Sequence, residues 1–253
     1  MTCTIDQSDE ASIVTLNRRG RTSTILNEIN AYFVDLASQA SRPVLDIGCA
    51  MGVAALAALR SGAFVHANDI DPGHLRILQD AAPIELRDSL KLVCGRFPNE
   101  LAYEENQFDA IHASNLLNFL TGHDIEAGMH CVARWLAPGG RFVSISGSPF
   151  AANIRGFIPH YKNSKAKGLR WPGECYNIHQ YSNHPTLYEL PDFLHLLDPS
   201  VLGRAARAAG LVVEKAAYIH RRHTPSYIRL DGRENVVLVA RKPHTSGGKD
   251  LHL

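Results

Sequence analysis

The chain has 253 residues, 45% of them hydrophobic and 20% charged, with 26 basic against 25 acidic side chains. These values exclude a disordered chain, a collagen-like repeat and a supercharged nucleic-acid binder, and the length suits one large or two small domains. No stretch reaches the roughly 18 consecutive apolar residues of a membrane-spanning helix, and residues 1–6 lack the pattern of a signal peptide. An odd number of cysteines, none in a Cys-x-x-Cys pair, predicts reduced thiols in a cytoplasmic protein: Cys3, Cys49, Cys94, Cys131 and Cys175.

The N-terminal part, residues 1–41, is predicted to be a helical cap. Residues 1–20 are polar and irregular, and Thr22 or Ser23 is a candidate N-cap for a helix. Apolar residues then recur at helical spacing, at Ile25, Ile29, Tyr32, Phe33 and Leu36. The helix is predicted to end before Pro43, because proline disfavours the helical conformation of the preceding residue.

From residue 42 to residue 146, strand and helix patterns alternate. Short apolar runs predict strands at 44–47, 63–68, 90–94, 108–113 and 141–146. Helices are predicted at 53–60, from Asp71-Pro72 onward, and at 125–136, with a turn at Pro138-Gly139-Gly140. Strands separated by helices predict parallel crossover units and a doubly wound α/β fold.

The pattern changes after residue 146. Residues 147–199 are rich in proline and show no sustained period of either kind. A helix is predicted to begin near Pro199 and to end at Gly210, and strands are predicted at 211–219 and 235–240. The polar tail, 244–253, is predicted to be loose.

The first strand and turn carry the strongest motif, VLDIGCAMG from Val44 to Gly52. It resembles the first motif of class I S-adenosylmethionine-dependent methyltransferases, in which an acidic residue ends strand one and a Gly-x-Gly-x-Gly loop follows. Glycines let the backbone approach a ligand, and the amides of a helix N-terminus receive its carboxylate. The resemblance places the cofactor against Asp46, Gly48, Cys49, Ala50 and Gly52, with Ala50 where the family has its middle glycine.

This turn has two other interpretations, a dinucleotide site and a purely structural turn. A dinucleotide site requires Gly-x-Gly-x-x-Gly, which is a different spacing, and Asp46 would repel a pyrophosphate. Glycines that only make a tight turn are the second alternative. Against both, Asp69 follows strand two where the family binds the ribose, and Ile70 stands where it packs on the adenine.

The ends of strands three and four supply the other residues that the resemblance assigns to the cofactor. The family usually has Gly-Asp after strand three, where this chain has Gly95-Arg96-Phe97, and arginine cannot accept a hydrogen bond from the adenine amino group. Either Phe97 covers the adenine or Arg96 turns toward solvent. Ser114 and Asn115, after strand four, stand where methyl donor and acceptor meet.

The resemblance implies a single domain over 1–253, with a mostly parallel seven-stranded sheet whose last strand is antiparallel. Its cofactor-binding core spans 42–146, an insert after strand five spans 147–199, and the C-terminal part of the sheet spans 200–243. The implied cofactor is S-adenosylmethionine, with S-adenosylhomocysteine as product and no metal.

The methyl acceptor is predicted to be a small molecule, methylated at a hydroxyl or carboxylate oxygen. Ser114-Asn115-Leu116-Leu117 is not the Asn-Pro-Pro-Tyr of amino-group methyltransferases, and no Pro-Cys pair or acidic cluster suggests attack on a pyrimidine or a magnesium-dependent enzyme.

The insert is the predicted cover of the acceptor, because it is irregular and rich in aromatic residues and histidines. A histidine there can take a proton from a hydroxyl at neutral pH. The candidate catalytic residues are His179, His184 and Tyr161. The candidate substrate-binding residues are His160, Trp171, Tyr176 and Tyr181.

Basic clusters leave a nucleic-acid interpretation open. They contain Arg18, Arg19 and Arg21, then His220, Arg221, Arg222 and His223, and, in the insert, Lys162, Lys165, Lys167 and Arg170. The net charge of only +1 makes a nucleic-acid partner the weaker hypothesis. An RNA or protein methyltransferase, and a domain that binds S-adenosylmethionine without transferring its methyl group, are the two alternatives.

Overall fold

The N-terminal region contains a hairpin and a helix. The structure is a computed structural model that describes residues 12–17 and 20–244. Strand β1 (Ser12–Val14) pairs antiparallel with β2 (Arg21–Ser23), and helix α1 follows at Glu28–Ser38. The prediction that Thr22 or Ser23 caps the helix was wrong, because these two residues pair with β1, and residues 12–14 form a strand where an irregular segment was predicted. The N-cap is Asn27, which accepts from the backbone N–H groups of residues 29 and 30.

Seven strands form the central sheet, in the order β10-β11-β7-β6-β3-β4-β5. Their bounds are β3 Val44–Ile47, β4 Val65–Asp69, β5 Leu90–Cys94, β6 Phe108–Ser114, β7 Leu136–Gly147, β10 Val212–Ile219 and β11 Asn235–Arg241. The pairs β3-β4, β3-β6, β4-β5 and β6-β7 are parallel, and β11 is antiparallel to both β7 and β10. The predicted doubly wound sheet with an antiparallel last strand is confirmed.

Helices cover both faces of the sheet, which explains why every residue of β3 and β4 is buried. Helices α2 (Val53–Arg60), α3 (Pro72–Ala81) and α1 enclose one core around Phe33 and Leu78. Helix α4 (Gly122–Trp135) and a helix at Pro199–Ala208 enclose the other core around Trp135. Asp71 caps α3 and proline occupies its first turn, as the sequence predicted.

The predicted turn at Pro138-Gly139-Gly140 lies inside β7, which begins five residues earlier than the sequence indicated. Gly139 has a φ of +83° and its N–H donates to the Lys242 carbonyl at 2.9 Å. The Lys242 N–H in turn donates to the Gly140 carbonyl at 2.9 Å. Pairing with the chain after β11 therefore holds this segment at the sheet.

The insert, 147–199, has regular structure that its sequence did not reveal. It contains helix α5 (Ile158–Ala166) and a two-stranded ladder of β8 (Glu174–Cys175) with β9 (Leu194–His195). Helix α5 has almost no apolar face, so periodicity could not predict it, and Pro159 lies in its first turn where proline is tolerated. A small core of its own holds the insert together, around Phe157, Ile178 and Leu196.

Helix α6 (Pro199–Ala208) connects the insert to β10, and Asp198 caps it by accepting from two backbone N–H groups. The bounds of α6, β10 and β11 agree with the predictions within two residues. The predicted loose tail lies almost entirely outside the described residues, as do Arg18 and Arg19. The single-domain organisation stays a prediction. Within the described ranges, no helix is long and apolar enough to cross a membrane.

Candidate active site

The loop between β3 and α2 approaches the centre of the sheet edge with an unusual backbone. Gly48, Ala50 and Gly52 all have positive φ, at +66°, +48° and +82°. A Cβ on Gly48 would lie 3.0 Å from Leu116, and one on Gly52 would overlap Leu78. Ala50 carries its side chain in the left-handed region, which costs roughly 1–2 kcal/mol. The loop thereby brings its backbone against neighbouring elements and presents its N–H groups at the start of α2.

Asp69, at the end of β4, fixes this loop. Its Oδ2 accepts from the Ala50 N–H at 2.8 Å, and its Oδ1 accepts from the Asp71 N–H at 2.9 Å. His74 Nδ1 donates to Oδ1 at 3.1 Å, because His74 Nε2 accepts from the Leu16 N–H at 3.0 Å and cannot carry the proton. A carboxylate offers about four acceptor positions, so Oδ2 retains one for a ligand hydroxyl.

Asp46 belongs to a buried network that the sequence analysis missed. His112 Nδ1 donates to Asp46 Oδ1 at 2.7 Å, and His112 Nε2 lies 3.2 Å from Asn30 Oδ1. The His112 ring stacks on Phe33 with centroids 4.7 Å apart. Asp46 and His112 are register partners on β3 and β6. The sequence signal for this network was one polar residue, Asp46 or His112, within each of two otherwise apolar strands.

The ends of β5 and β6 complete the rim. Arg96 is exposed, and its backbone N–H donates to Glu100 Oε2 at 2.9 Å, which agrees with the interpretation that this side chain faces solvent. Phe97 is 6% exposed and packs edge-on against Trp135, so most of it belongs to the core. Asn115, after β6, has a φ of +56°, and its N–H donates to the Ile145 carbonyl at 2.7 Å.

A cavity of about 540 Å³ lies along this edge. Every residue that the sequence assigned to the cofactor lines it, apart from Gly52: Asp46, Gly48, Cys49, Ala50, Asp69, Ile70, Arg96, Phe97, Ser114 and Asn115. Ile70 is an apolar side chain that is 40% exposed at this cavity. Its exposed surface is available to pack against a ligand. Burial and the neighbouring carboxylates of Asp46 and Asp69 raise the pKa of the Cys49 thiol. Among the described residues, no group of histidine, cysteine and acidic side chains could hold a metal ion.

Comparison with known proteins agrees with this geometry. Residues 44–140 match a family model described as a methyltransferase domain. The chain therefore carries a methyltransferase domain. This match and the shared fold agree with the class I resemblance that the sequence predicted. A search of curated protein sequences finds no match.

Solved structures share the fold of this methyltransferase domain at low identity. An S-adenosylmethionine-dependent methyltransferase from Methanosarcina mazei is 16% identical with a TM-score of 0.61, covering 87% of this chain and 100% of its own. The glycopeptide N-methyltransferase MtfA is 18% identical with a TM-score of 0.56, covering 85% and 91%. Geranyl diphosphate C-methyltransferase from Streptomyces coelicolor, solved with Mg²⁺, geranyl diphosphate and S-adenosylhomocysteine, is 17% identical with a TM-score of 0.57, covering 84% and 79%.

The three candidate catalytic residues of the methyltransferase do not line the cavity. Tyr161 is 2% exposed and donates to Asp198 Oδ2 at 2.7 Å, within the core of the insert. His179 stacks on Tyr188 and lies 3.4 Å from an Asp192 carboxylate oxygen. His184 caps the short helix Pro185–Glu189 and stacks on another ring. The structure gives no support to a catalytic role for these side chains.

The four candidate substrate-binding residues also lie outside the lining. His160 and Tyr181 pack with Phe157, Trp171 packs against His195 and Arg204, and Tyr176 is 68% exposed. The insert does line the cavity, but with other residues, chiefly Ile154, Leu187, Leu190, Pro191 and Phe193. Sequence position within an irregular segment does not indicate which side chains face inward, which is why the sequence pointed to residues that do not line the cavity.

The remaining walls come from the two ends of the chain. The N-terminal hairpin contributes Thr15 and Arg21, and Arg21 pairs with Glu189 of the insert at 3.0 Å. Arg221, which follows β10, and Asn235, which begins β11, also line the cavity. The ion pair joins the hairpin to the insert, and both segments line the same cavity.

Proposed function

We propose that this methyltransferase transfers the methyl group of S-adenosylmethionine to an oxygen atom of a small-molecule acceptor. One observation carries the proposal: a single cavity joins the Gly48–Ala50 turn and Asp69 to the wall formed by the insert. Its volume of about 540 Å³ falls in the range of small-molecule sites, roughly 300–1,000 Å³.

The residues present fit the cofactor. The Gly48–Ala50 backbone leaves no room for a larger side chain at Gly48, and the free acceptor position of Asp69 Oδ2 suits a ribose hydroxyl. Asp46 Oδ2, for which the described part of the chain provides no hydrogen bond, suits an amino group. Ile70 offers an exposed apolar surface to the adenine.

When bound, S-adenosylmethionine supplies an electrophilic methyl group on a sulfonium. The chain contributes position: Asp69 holds the loop through Ala50, and His112 holds the Asp46 carboxylate in one orientation. Reactive alignment of this kind is worth several kcal/mol of the barrier. The insert and the N-terminal hairpin exclude water from the far side of the cavity.

Among oxygen acceptors a carboxylate fits best, because the insert contributes no titratable side chain to the described lining that could act as a general base. A carboxylate is nucleophilic without deprotonation, and a hydroxyl requires only one proton acceptor. The sequence after β6 lacks the Asn-Pro-Pro-Tyr motif of amino-group methyltransferases.

A small acceptor is favoured over RNA because ion pairs with acidic residues interrupt the basic clusters. Arg222 lies 3.5 Å from Glu28, Lys165 binds Asp198 at 3.0 Å, and Arg170 pairs with Glu126. A continuous stripe of free cations, which phosphate binding requires, is therefore missing from these clusters in the described part of the chain.

The test uses S-adenosylmethionine labelled with ¹³C at its methyl group. The protein is incubated with a cell extract separated into small molecules, RNA and protein, and the products are read by proton–carbon correlation NMR. We expect label in the small-molecule fraction as an O-methyl signal, lost in Asp69→Ala. Label in RNA or protein, an N-methyl signal, or cofactor binding without transfer would each contradict the proposal.

A further inference from the structure

Three buried N–H donors in the cavity wall have no acceptor. They are Arg221 Nε, Asn27 Nδ2 and Asn235 Nδ2, all of which line the cavity. Asn27 is 8% exposed and Asn235 is 3% exposed. No buried oxygen of the described lining is left unpaired in the same way. A buried donor without a partner costs roughly 1–3 kcal/mol, so the set points to a ligand that brings acceptors.

The Asn27 donor is fixed in place. Asn27 Oδ1 accepts from the N–H groups of Ile29 and Asn30, both at 2.9 Å, because Asn27 caps α1. A reversed amide would lose both of these hydrogen bonds. Nδ2 is therefore the atom left without a partner, and it belongs to the N-cap residue of a helix whose N-terminus favours negative charge.

The three donors come from segments that touch. Arg222 donates its backbone N–H to Glu28 Oε1 at 3.3 Å, so Arg221 is one residue from a contact with the neighbour of Asn27. Asn235 is the register partner of Ile219, two residues before Arg221. The N-terminus of α1, the segment after β10 and the start of β11 thus meet at one part of the wall.

Arg221 forms no ion pair with the described residues, although the charge of Glu28 acts to raise its pKa. Nearby acidic groups are occupied: Glu28 by Arg222, and Glu234 by His220 and by backbone N–H groups of residues 230–232. Burial opposes ionisation of Glu234, but these hydrogen bonds lower its pKa to about 2 and keep it charged. Burial also lowers the pKa of Arg221, although a guanidinium remains protonated in proteins. An anionic ligand group would supply the counter-charge that Arg221 lacks.

We propose, on the basis of the methyltransferase function above, that the acceptor carries a carboxylate bound by Arg221, Asn27 and Asn235. A guanidinium presents parallel N–H groups that match the two oxygens of a carboxylate. One cation neutralises one carboxylate, whereas a phosphate dianion would leave excess negative charge beside Glu234. The class of substrate is therefore a small carboxylic acid, held at the end of the cavity away from Asp69.

The carboxylate of the cofactor does not reach the Asn235 end of this site. Four inter-strand steps separate β4, which ends at Asp69, from β11, which begins at Asn235. At about 4.8 Å per step the two strands are about 19 Å apart. A cofactor whose ribose binds Asp69 does not reach that far with its amino-acid end. The acceptor is the ligand that extends from the methyl group toward this wall.

The test compares matched probes: benzoate, phenylacetate and hexanoate, each against its primary amide, with phenyl phosphate as a further arm. Binding is measured by saturation-transfer NMR and titration, with and without S-adenosylhomocysteine. We expect each carboxylate to bind at least tenfold more tightly than its amide, and Arg221→Gln to abolish the preference. Arg222→Gln, an exposed neighbour, should retain it. No preference in the wild type, a preference that survives Arg221→Gln, or tighter binding of phenyl phosphate would overturn the proposal.

Two further measurements distinguish the loss of the carboxylate site from a loss of folding and from a loss of cofactor binding. Arg221→Gln should not lower the melting temperature of the free protein, because Nε has no partner to lose, and Arg221→Lys should give an intermediate preference. The affinity for S-adenosylhomocysteine should be the same in Arg221→Gln and wild type. A parallel loss would assign the guanidinium to the cofactor and overturn the inference. If the wild type binds no S-adenosylhomocysteine, the proposed function fails, while the carboxylate preference is still read in the cofactor-free protein.

Discussion

Removing the ring nitrogens of His112 tests whether it holds the Asp46 carboxylate. The variant His112→Phe keeps a ring to stack on Phe33 but deletes the hydrogen bond of 2.7 Å to Asp46 Oδ1. Asp46 is 2% exposed, so the change leaves a buried carboxylate without its charged or polar partner. Breaking a buried pair in this way costs roughly 3–5 kcal/mol. We expect the free energy of unfolding to fall by about 3 kcal/mol.

A double-mutant cycle by urea denaturation isolates this interaction. Asp46→Asn removes the charge, so the double variant Asp46→Asn/His112→Phe should be about 2 kcal/mol more stable than the sum of the single effects indicates. His66→Phe is the matched control. It removes a buried histidine on β4 that has no hydrogen-bond partner for Nδ1, and it should leave stability unchanged or raised. Additive effects within about 0.5 kcal/mol would refute the network.

Three further expectations concern stability and reactivity. Burial lowers the pKa of His66 from 6.5 to about 4, so the unfolded chain binds the proton first as the pH falls. Stability should therefore decline from pH 6.5 to pH 4, by about 3 kcal/mol in total, and His66→Phe should flatten the pH profile. Gly52→Ala should cost about 3 kcal/mol in urea denaturation, because a Cβ there meets α3, whereas Gly62→Ala, with open space around it, should cost about 1. Iodoacetamide should modify exposed Cys94 well before buried Cys49 by mass spectrometry, and equal rates would contradict the raised pKa of the latter thiol.

The sheet was predictable because its sequence signals are local. Strands 44–47 and 90–94 have the predicted bounds, since each is a short apolar run between a turn and a helix. Asp71-Pro72 marks the start of α3 for a similarly local reason, a side-chain cap followed by a proline that tolerates the first turn. The prediction failed where a tertiary contact decides the start of an element. The N-cap of α1 is Asn27 and not the predicted Thr22 or Ser23.

The residues predicted to bind the cofactor line the cavity apart from Gly52, and the residues predicted to bind the acceptor do not. Asp46 and Asp69 end adjacent parallel strands, so topology alone brings them to one edge. Arg221 was grouped with its neighbours in a basic cluster, because sequence cannot show that it lines a cavity while Arg222 pairs at the surface. His179 and His184 do not line the cavity, and the sequence could not show this because an irregular segment has no period that distinguishes its inner face.

The central claim is that the cavity beside Asp69 binds the methyl donor. Calorimetric titration with S-adenosylhomocysteine tests it most directly, on the wild type, on Asp69→Ala and on Asp71→Asn. Asp71 only caps α3 and does not line the cavity, so its variant is the control. Hydrogen bonds to a charged group contribute roughly 1.5–3 kcal/mol, so binding to Asp69→Ala should be about 10- to 100-fold weaker than to the other two proteins. Equal affinity for all three, or no binding to the wild type, would contradict the account.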